Sequence, residues 1–382
     1  MRPTDDPLFV FLLDQMNRKG PVLIAVGAVV AIFLGCRKDE ALPPGGVEGG
    51  TPVSPVVLDL GSVPYPTLSQ YHFFEGLMAD LEPATGVLPY TPITPAFGDY
   101  AEKYRFVWMP AGQKASYVAD GQALEFPEGA VLIKTAFYPK VLPTMERRIL
   151  DTRLMIRKGG TWVFAEYVWN EEQTEAYLDM QGSNVPLTWA DENGLPHDVA
   201  FRIPSEGECI ACHSRYDERV PIGPKPQNLN TVRQYPEGPM NQLAKWVAAG
   251  YLESGYPAAI ETVAAWDDPQ ESLERRVRAY LDMNCSHCHN EGGFCGYRPM
   301  RFSWSESADP AALGVCIPPD DPFAQGVDYI VHAGNANRSM LYYRLSSTEE
   351  AVRMPLLERT LRHEEAIQLV ADWINSMPEP CP

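Results

Sequence analysis

The sequence predicts an α+β fold in which a mainly antiparallel β domain precedes a mainly α-helical domain. Alternating apolar and polar residues between positions 130 and 169 indicate β-strands in the first half of the chain. Apolar residues recur at helical spacing in residues 271–284 and again in residues 364–377. The 36 prolines and 29 glycines indicate many turns and ordered loops, with less helix than a bundle needs.

Length and charge narrow the classes of protein that fit. With 382 residues, the chain is long enough for two or three domains with sizeable cores. The formal net charge of −19 argues against a nucleic-acid partner, because phosphate contacts need a basic surface. A protein partner that docks on so acidic a surface is expected to be basic.

The N-terminus predicts an export signal. Two basic residues precede an apolar run over residues 21–35, which is shorter than the roughly 20 residues of a spanning helix. A small residue before Cys36 resembles a bacterial lipobox, in which the cysteine is lipidated, although Phe33 stands where leucine is usual. Residues 1–35 are therefore predicted to be a lipoprotein signal peptide, with a plain signal peptide, a retained anchor and a buried core segment as alternatives.

Two stretches share the pattern Cys-x-x-Cys-His. The attaching cysteines would be Cys209 and Cys212 in the first motif and Cys285 and Cys288 in the second. Haem attachment needs this spacing, because two thiols add to one porphyrin and the adjacent histidine binds its iron. Zinc ligation and a redox disulfide are the alternatives, but neither requires a histidine after each pair. The sequence therefore predicts two covalently attached haem c groups.

The iron ligands follow from the same motifs. His213 and His289 are the predicted proximal ligands. Met354, followed by proline in a loop before the last helix, is the predicted distal ligand of the second haem, where a thioether raises the reduction potential. Met340 is the rival, but its spacing fits an apolar helix position better. His287, inside the second motif, is interpreted as a solvated residue.

The first motif has no clear distal ligand. Met240, His197 and His72 are considered, and a structural role explains each of them better. An iron with an open or weakly occupied sixth position is the remaining interpretation, and it could bind a small molecule. Tyr104 and Arg105 are polar candidates above it, but a solvated strand face accounts for both.

The pairing of the remaining cysteines is predicted from the compartment to which the protein is exported. Cys295 and Cys316 flank residues 296–315 and are expected to form a disulfide, because an exported protein meets an oxidising environment. Cys381 is then expected to be free. The predicted domain plan is a Pro/Gly-rich tether (36–65), a β-rich domain with the first motif (66–262) and a mainly helical domain with the second (263–382).

Several further segments are distinctive, among them LSQYHFFEG, FPEGAVLIKTAFYP, PIGPKPQNLN, RAYLDMNCSHCH and MPLLERTLRHEEA. With them, residues 66–377 resemble an uncharacterised family of exported bacterial di-haem c-type cytochromes. The resemblance implies two covalent haems and a cell-envelope location, and it supplies no substrate. His332 and Cys295 depart from the family pattern, whereas His363 matches it and is interpreted as a helix-start or haem-propionate contact, with distal ligation as an alternative.

Two narrower resemblances concern the domains. The C-terminal part resembles a class I cytochrome c, whose two crossing helices frame the porphyrin. More weakly, residues 95–220 resemble sheet-type cytochromes c-prime and lysine-cross-linked cytochromes that oxidise hydroxylamine, both of which hold a five-coordinate haem beneath a sheet. Lys134 lies where such a lysine could be placed, but a solvent-facing strand lysine explains it better.

These observations predict a di-haem c-type cytochrome that transfers electrons in the bacterial cell envelope. It would be a periplasm-facing or surface lipoprotein of the outer membrane, with a basic redox protein as its partner. The alternative is a haem oxidoreductase, peroxidase-like or oxidising a small nitrogen compound, or a gas-binding protein, using an open first iron. No catalytic residue is predicted.

Overall fold

The computed structural model describes residues 53–321, 324–378 and 381–382. They belong to one compact unit, Pro52–Pro382. The predicted signal peptide and Cys36 lie outside the described residues. The described chain contains more strand than helix, mainly in antiparallel sheets, which confirms the predicted α+β class. The boundary expected at residue 262 stays a prediction.

The strands of the described residues are mostly antiparallel neighbours in sequence. They are β1 (Phe74–Glu75), β2 (Glu82–Pro83), β3 (Leu88–Pro89), β4 (Glu102–Trp108), β5 (Val131–Val141), β6 (Glu146–Lys158), β7 (Thr161–Trp169), β8 (Ala176–Leu178), β9 (Ser183–Ala190), β10 (Pro196–Ile203), β11 (Ser214–Arg215), β12 (Glu218–Arg219), β13 (Val232–Tyr235) and β14 (Gly238–Asn241). Strands β3 to β10 form one eight-stranded sheet in the order β10-β9-β5-β6-β7-β8, with β4 paired to β5 and β3 to β4.

The hairpin predicted around Gly159 and Gly160 is confirmed. These two glycines join β6 to β7 with φ angles of 62° and 76°, the left-handed backbone that two-residue hairpin turns require. The turn pairs Lys158 with Thr161 and thereby sets the register of the whole hairpin. Register decides which side chains of β6 and β7 share a face of the sheet.

The two faces of the sheet differ in chemistry. One face carries a large apolar core in which Phe106, Ile133, Leu154 and Tyr167 are buried. The chain before the sheet covers this face, because Val63 is also buried in the same core. The tether predicted for residues 36–65 is therefore too long: from about Val56 onward it packs on the sheet instead of extending freely.

Helices lie after the sheet in the chain. They are α1 (Glu206–Cys212), α2 (Pro226–Leu229), α3 (Gln242–Ala248), α4 (Leu273–Asn284), α5 (Met340–Ser346) and α6 (Glu364–Asn375). The apolar stripes predicted on the fourth and last of these pack together in one core, where Val277 and Leu281 meet Ile367 and Val370.

The disulfide expected between Cys295 and Cys316 is wrong. Cys316 bonds instead to Cys381, with the two Cα atoms 5.2 Å apart, within the usual range for a disulfide. The amide of Cys316 donates a hydrogen bond to the carbonyl of Val331. The C-terminal segment with Cys381 lies next to this same carbonyl. Cys295 is free and is held at the second motif, because its amide donates to the carbonyl of Cys288 (3.0 Å).

Replacing both Cys316 and Cys381 with serine should lower the free energy of unfolding by about 2–4 kcal/mol, because the bond closes a long loop. The Cys295→Ser control should change it by less than about 0.5 kcal/mol. Chemical denaturation without reductant measures both values. A larger loss in Cys295→Ser than in the double variant would contradict the Cys316–Cys381 pairing.

Candidate haem sites

The first motif lies on a short capped helix. Ser205 caps α1, its hydroxyl accepting from the amide of Glu208 while the Glu208 carboxylate accepts from the amide of Ser205. Cys209 and Cys212 are three positions apart on this helix and share a face, and His213 ends it. These three residues line a cavity of about 150 Å³ between the helix and strands β4 to β7, here called the first cavity.

His213 is arranged as a metal ligand would be. Its Nδ1 lies 2.9 Å from the carbonyl oxygen of Val220, so Nδ1 carries the proton and donates, and Nε2 is left with a free lone pair. Burial lowers the pKa of His213 to about 4, so the ring is neutral at physiological pH. A neutral imidazole with an oriented Nε2 is the form that binds iron.

The second motif begins where α4 ends. Cys285 follows the last residue of α4, and its amide donates to the carbonyl of Leu281 (2.9 Å). Cys285, Cys288 and His289 line a cavity of about 510 Å³, here called the second cavity. Its other walls are mostly apolar, with Met300, Phe302, Ile330, Leu341, Leu345 and Pro355 among them. This volume is typical of small-molecule and cofactor pockets, which measure about 300–1,000 Å³.

His289 and both candidate methionines lie at the second cavity. Burial lowers the pKa of His289 to about 4, and its Nδ1 is buried without a partner among the described residues. Met354 lines the cavity from the loop between α5 and α6, as the sequence predicted, and Met340 lines it from the first position of α5. The imidazoles and thioethers that line the second cavity are therefore those of His287 and His289 and those of Met300, Met340 and Met354.

The two motifs meet. Cys212 lines the second cavity together with His287 and Cys288. Interaction with the Cys288 thiol is the main cause that lowers the pKa of Cys212 to about 4, and the same interaction raises the pKa of Cys288. Four residues line both cavities: Glu208, Cys212, His287 and Leu357. The first and second cavities are thus neighbours that share a wall.

Buried polar contacts hold the second motif in this place. Asp282, in the last turn of α4, forms a 2.8 Å ion pair with Lys225, which lies just before α2. The same carboxylate accepts from the amide of Trp304 (3.0 Å). Two residues on, the Asn284 side chain accepts from the amide of Phe97 (2.8 Å). The end of α4 is therefore tied to the chain segments that surround the first cavity.

Charged side chains line the sheet wall of the first cavity. Arg153 lies 2.8 Å from Asp151 and 3.1 Å from Glu166, and it also pairs with Glu358 from the loop after α5. Burial raises the pKa of Glu166, and burial together with Arg153 lowers the pKa of Lys134 to about 7. This cavity is polar and charged, whereas the second is mostly apolar.

Several residues were interpreted wrongly from the sequence. Lys134 and Arg105 do not face solvent, since both line the first cavity and Arg105 is only 9% exposed. His287 is not a solvated residue, because it lies where the two cavities join. Tyr104 is exposed, as expected.

The other histidines and methionine considered as ligands lie elsewhere. His197 stacks on Trp189 at the sheet edge, and His72 and Met240 are exposed. His363 precedes α6 as expected, but it is enclosed by aromatic rings (Phe97, Tyr100, Trp266 and Tyr280). Among the described residues, none of these four lines either cavity.

Residues that the sequence analysis missed line the first cavity as well. Met155, Glu166 and Met283 are examples. The Gly159-Gly160 turn could have revealed Glu166, because counting back from the pair Lys158 and Thr161 places it opposite Arg153.

No protein-family model, curated protein or solved structure matches this chain. Within the described ranges, no group of three or more His, Cys, Asp or Glu side chains is placed to hold a metal ion. A haem iron takes only one or two protein ligands, so that finding does not bear on haem. None of the helices in the described part of the chain is both long and apolar enough to cross a membrane.

Arg153→Gln should lower the free energy of unfolding by about 3–5 kcal/mol, because it leaves the buried Asp151 and Glu166 without their cation. The control on the same strand, Arg148→Gln, breaks a pair with exposed Glu171 and should cost less than about 1 kcal/mol. Urea denaturation compares them.

The Arg153→Gln loss should also depend on pH. A carboxyl whose pKa is raised on folding binds its proton more tightly in the folded state, so stability falls as pH rises above its ordinary value of 4.5. The loss is therefore expected to be larger at pH 8 than at pH 5. A loss that shrinks with rising pH would contradict this account of Glu166.

Proposed function

We propose that this protein is a di-haem c-type cytochrome that transfers electrons in the bacterial cell envelope. One observation carries the proposal: two Cys-x-x-Cys-His motifs line two adjoining cavities, and their thiols meet at Cys212 and Cys288. Redox centres attached at these cysteines would be neighbours, which a relay of single electrons requires. A pair of unrelated metal or thiol sites would not need a shared wall.

The residues present fit haem c at the second motif, and at the first motif the thiols and the histidine fit it. The two thiols and the neutral histidine of each motif line its cavity, and the His213 ring is already oriented by Val220. The second cavity has the volume and apolar walls of a cofactor site. The first is smaller, and would enclose only part of a porphyrin. When bound, haem supplies an iron that changes oxidation state by one electron.

Different residues of the chain would ligate each iron. His213 and His289 would hold the irons through Nε2, and Met354 would complete the second site from its loop. Helices α4 and α6, which pack together beside the second cavity, would provide a frame similar to that of a class I cytochrome c. Cys36 would anchor the chain to the outer membrane, and the acidic surface would attract a basic redox partner.

A second candidate function rests on the charged wall of the first cavity. Electron relay does not require a row of buried arginine, lysine and glutamate side chains beside the first motif. An open iron at His213 with such a wall would suit a haem oxidoreductase or a gas-binding protein. Polar groups there could orient a small substrate and move protons to it.

The haem content of the purified full-length chain tests both functions. We expect two c-type haems per chain in a pyridine haemochrome assay, and none if the haem proposal is wrong. Carbon monoxide should shift the reduced spectrum of about half the haem if the first iron is open. His213→Ala, compared with the matched His289→Ala, identifies which haem shifts. If carbon monoxide shifts neither haem, the second candidate function fails.

Met354→Leu should abolish the methionine–iron charge-transfer band of the oxidised protein and lower the potential of the second haem. Loss of the thioether removes a ligand that raises the potential, and axial ligands change haem potentials over roughly 0.8 V. Met340→Leu is the matched control, since Met340 lines the same cavity. Loss of the band in Met340→Leu alone would assign the ligand to Met340.

A further inference from the structure

A row of charged side chains crosses the sheet beneath the first cavity. Strand register places Arg105 of β4 opposite Lys134 of β5, Lys134 opposite Arg153 of β6, and Arg153 opposite Glu166 of β7. All four side chains line the first cavity. Residues directly opposite each other on neighbouring strands have Cβ atoms about 4.5–5.5 Å apart, so like charges here repel.

Negative charge is concentrated at one end of the row. Arg153 pairs with Asp151, Glu166 and Glu358, and Lys134 shares Glu358 at 3.5 Å. The carboxylates therefore gather around β6 and β7. No carboxylate of the row lies on β4.

The opposite end holds two cations without an acidic partner. Lys103 donates to the backbone carbonyl of Ala96 (3.2 Å), and Arg105 donates at 3.5 Å to the carbonyl of Lys103. Neither forms an ion pair with a carboxylate in the described part of the chain. A buried charge that is not paired costs several kcal/mol, so this arrangement is unfavourable unless an anion joins it.

Burial makes the lack of a carboxylate beside Lys103 and Arg105 energetically unfavourable. Arg105 is 9% exposed, and burial lowers the pKa of both Arg105 and Lys103. Tyr90, 6% exposed, lines the same end of the cavity, and burial raises its pKa to about 12. Its hydroxyl is therefore protonated at neutral pH and can donate. Tyr90, Lys103, Arg105 and Lys134 together are here called the cation end.

We propose that the cation end of the first cavity binds an anionic group that carries oxygen atoms, either a carboxylate or a small inorganic oxyanion. The arginine fork matches two oxygens of such a group, and the lysines and the tyrosine hydroxyl add further donors. The four side chains come from β4, β5 and the segment after β3, so the sheet holds the donors in place.

The anion could come from two sources. If a haem is attached at Cys209 and Cys212, one of its propionates could reach the cation end, and this source rests on the proposed function. A free oxyanion is the other source. The cavity of about 150 Å³ has room for about five water-sized groups, at about 30 Å³ each, so it would take an anion of a few atoms.

Spectral titration of the haem-loaded full-length protein with nitrite tests for a free oxyanion. Arg105→Gln and Lys103→Gln should each weaken nitrite binding by about 10-fold, whereas Arg148→Gln, on the same sheet but away from both cavities, should not. Imidazole, an uncharged ligand, should keep its affinity in all variants, which shows that the iron is still accessible. Lys103 is less buried than Arg105, so its variant also guards against a folding defect.

The same variants distinguish a propionate from a free anion. If a propionate occupies the cation end, nitrite affinity will not change, but the potential of the first haem should fall in both variants and stay unchanged in Arg148→Gln. The fall follows because an uncompensated propionate charge stabilises the oxidised iron. If neither nitrite affinity nor potential changes in Arg105→Gln and Lys103→Gln, the proposal is overturned.

A haem-free result would end the proposed function but not this inference. In that case sulfate should raise the melting temperature of the wild-type chain, because a ligand that binds only the folded state stabilises it. The rise should be lost in Arg105→Gln and kept in Arg148→Gln. Equal melting temperatures with and without sulfate in the wild-type chain would overturn the anion site.

Discussion

The buried ion pair between Lys225 and Asp282 determines where the second motif lies. Asp282 is 1% exposed and Lys225 is 8% exposed, so breaking the pair would leave a charge buried without a partner. Asp282 belongs to the last turn of α4, three residues before Cys285. Because this turn is fixed, the chain after it runs beside α1, and Cys288 meets Cys212. The shared wall of the two cavities depends on this contact.

The two motifs have the same residues in different surroundings. The second cavity is mostly apolar and is lined by three methionines, which suits a site that only gains and loses electrons. The first cavity lies on a charged sheet surface, where Glu166 and Lys134 have strongly altered pKa values. Altered pKa values are frequent where protons are moved or charged ligands are bound. The proposed division of roles, with relay at the second site and ligand binding at the first, follows from this difference.

The sequence was sufficient for features that local patterns control. Strand alternation and the Gly159-Gly160 turn predicted β6 and β7, and helical periodicity predicted α4 and α6. The Cys-x-x-Cys-His spacing identified residues that line two cavities in the fold. The sequence also predicted that Met354 lies near the second motif, and Met354 lines the second cavity. Each of these signals lies within one short segment, where backbone geometry alone sets which side chains share a face.

Features that depend on distant contacts could not be predicted in this way. The pairing of Cys316 with Cys381 joins segments 65 positions apart, and the backbone hydrogen bond at Val331 that aligns them has no local signal. Lys134 and Arg105 look like solvated strand residues until the loop that carries Glu358 covers them. His287 is significant only because α1 lies against it. In each case a second segment decides the environment of the residue.

The electron paramagnetic resonance spectrum of the fully oxidised protein tests the central claim most directly. It would be compared with two single-haem variants, Cys209→Ser/Cys212→Ser and Cys285→Ser/Cys288→Ser. If the haems are neighbours at the Cys212–Cys288 contact, the wild-type signals will be broadened by magnetic coupling and will differ from the sum of the two variant spectra. A wild-type spectrum equal to that sum, or one without any haem signal, would contradict adjoining haem sites.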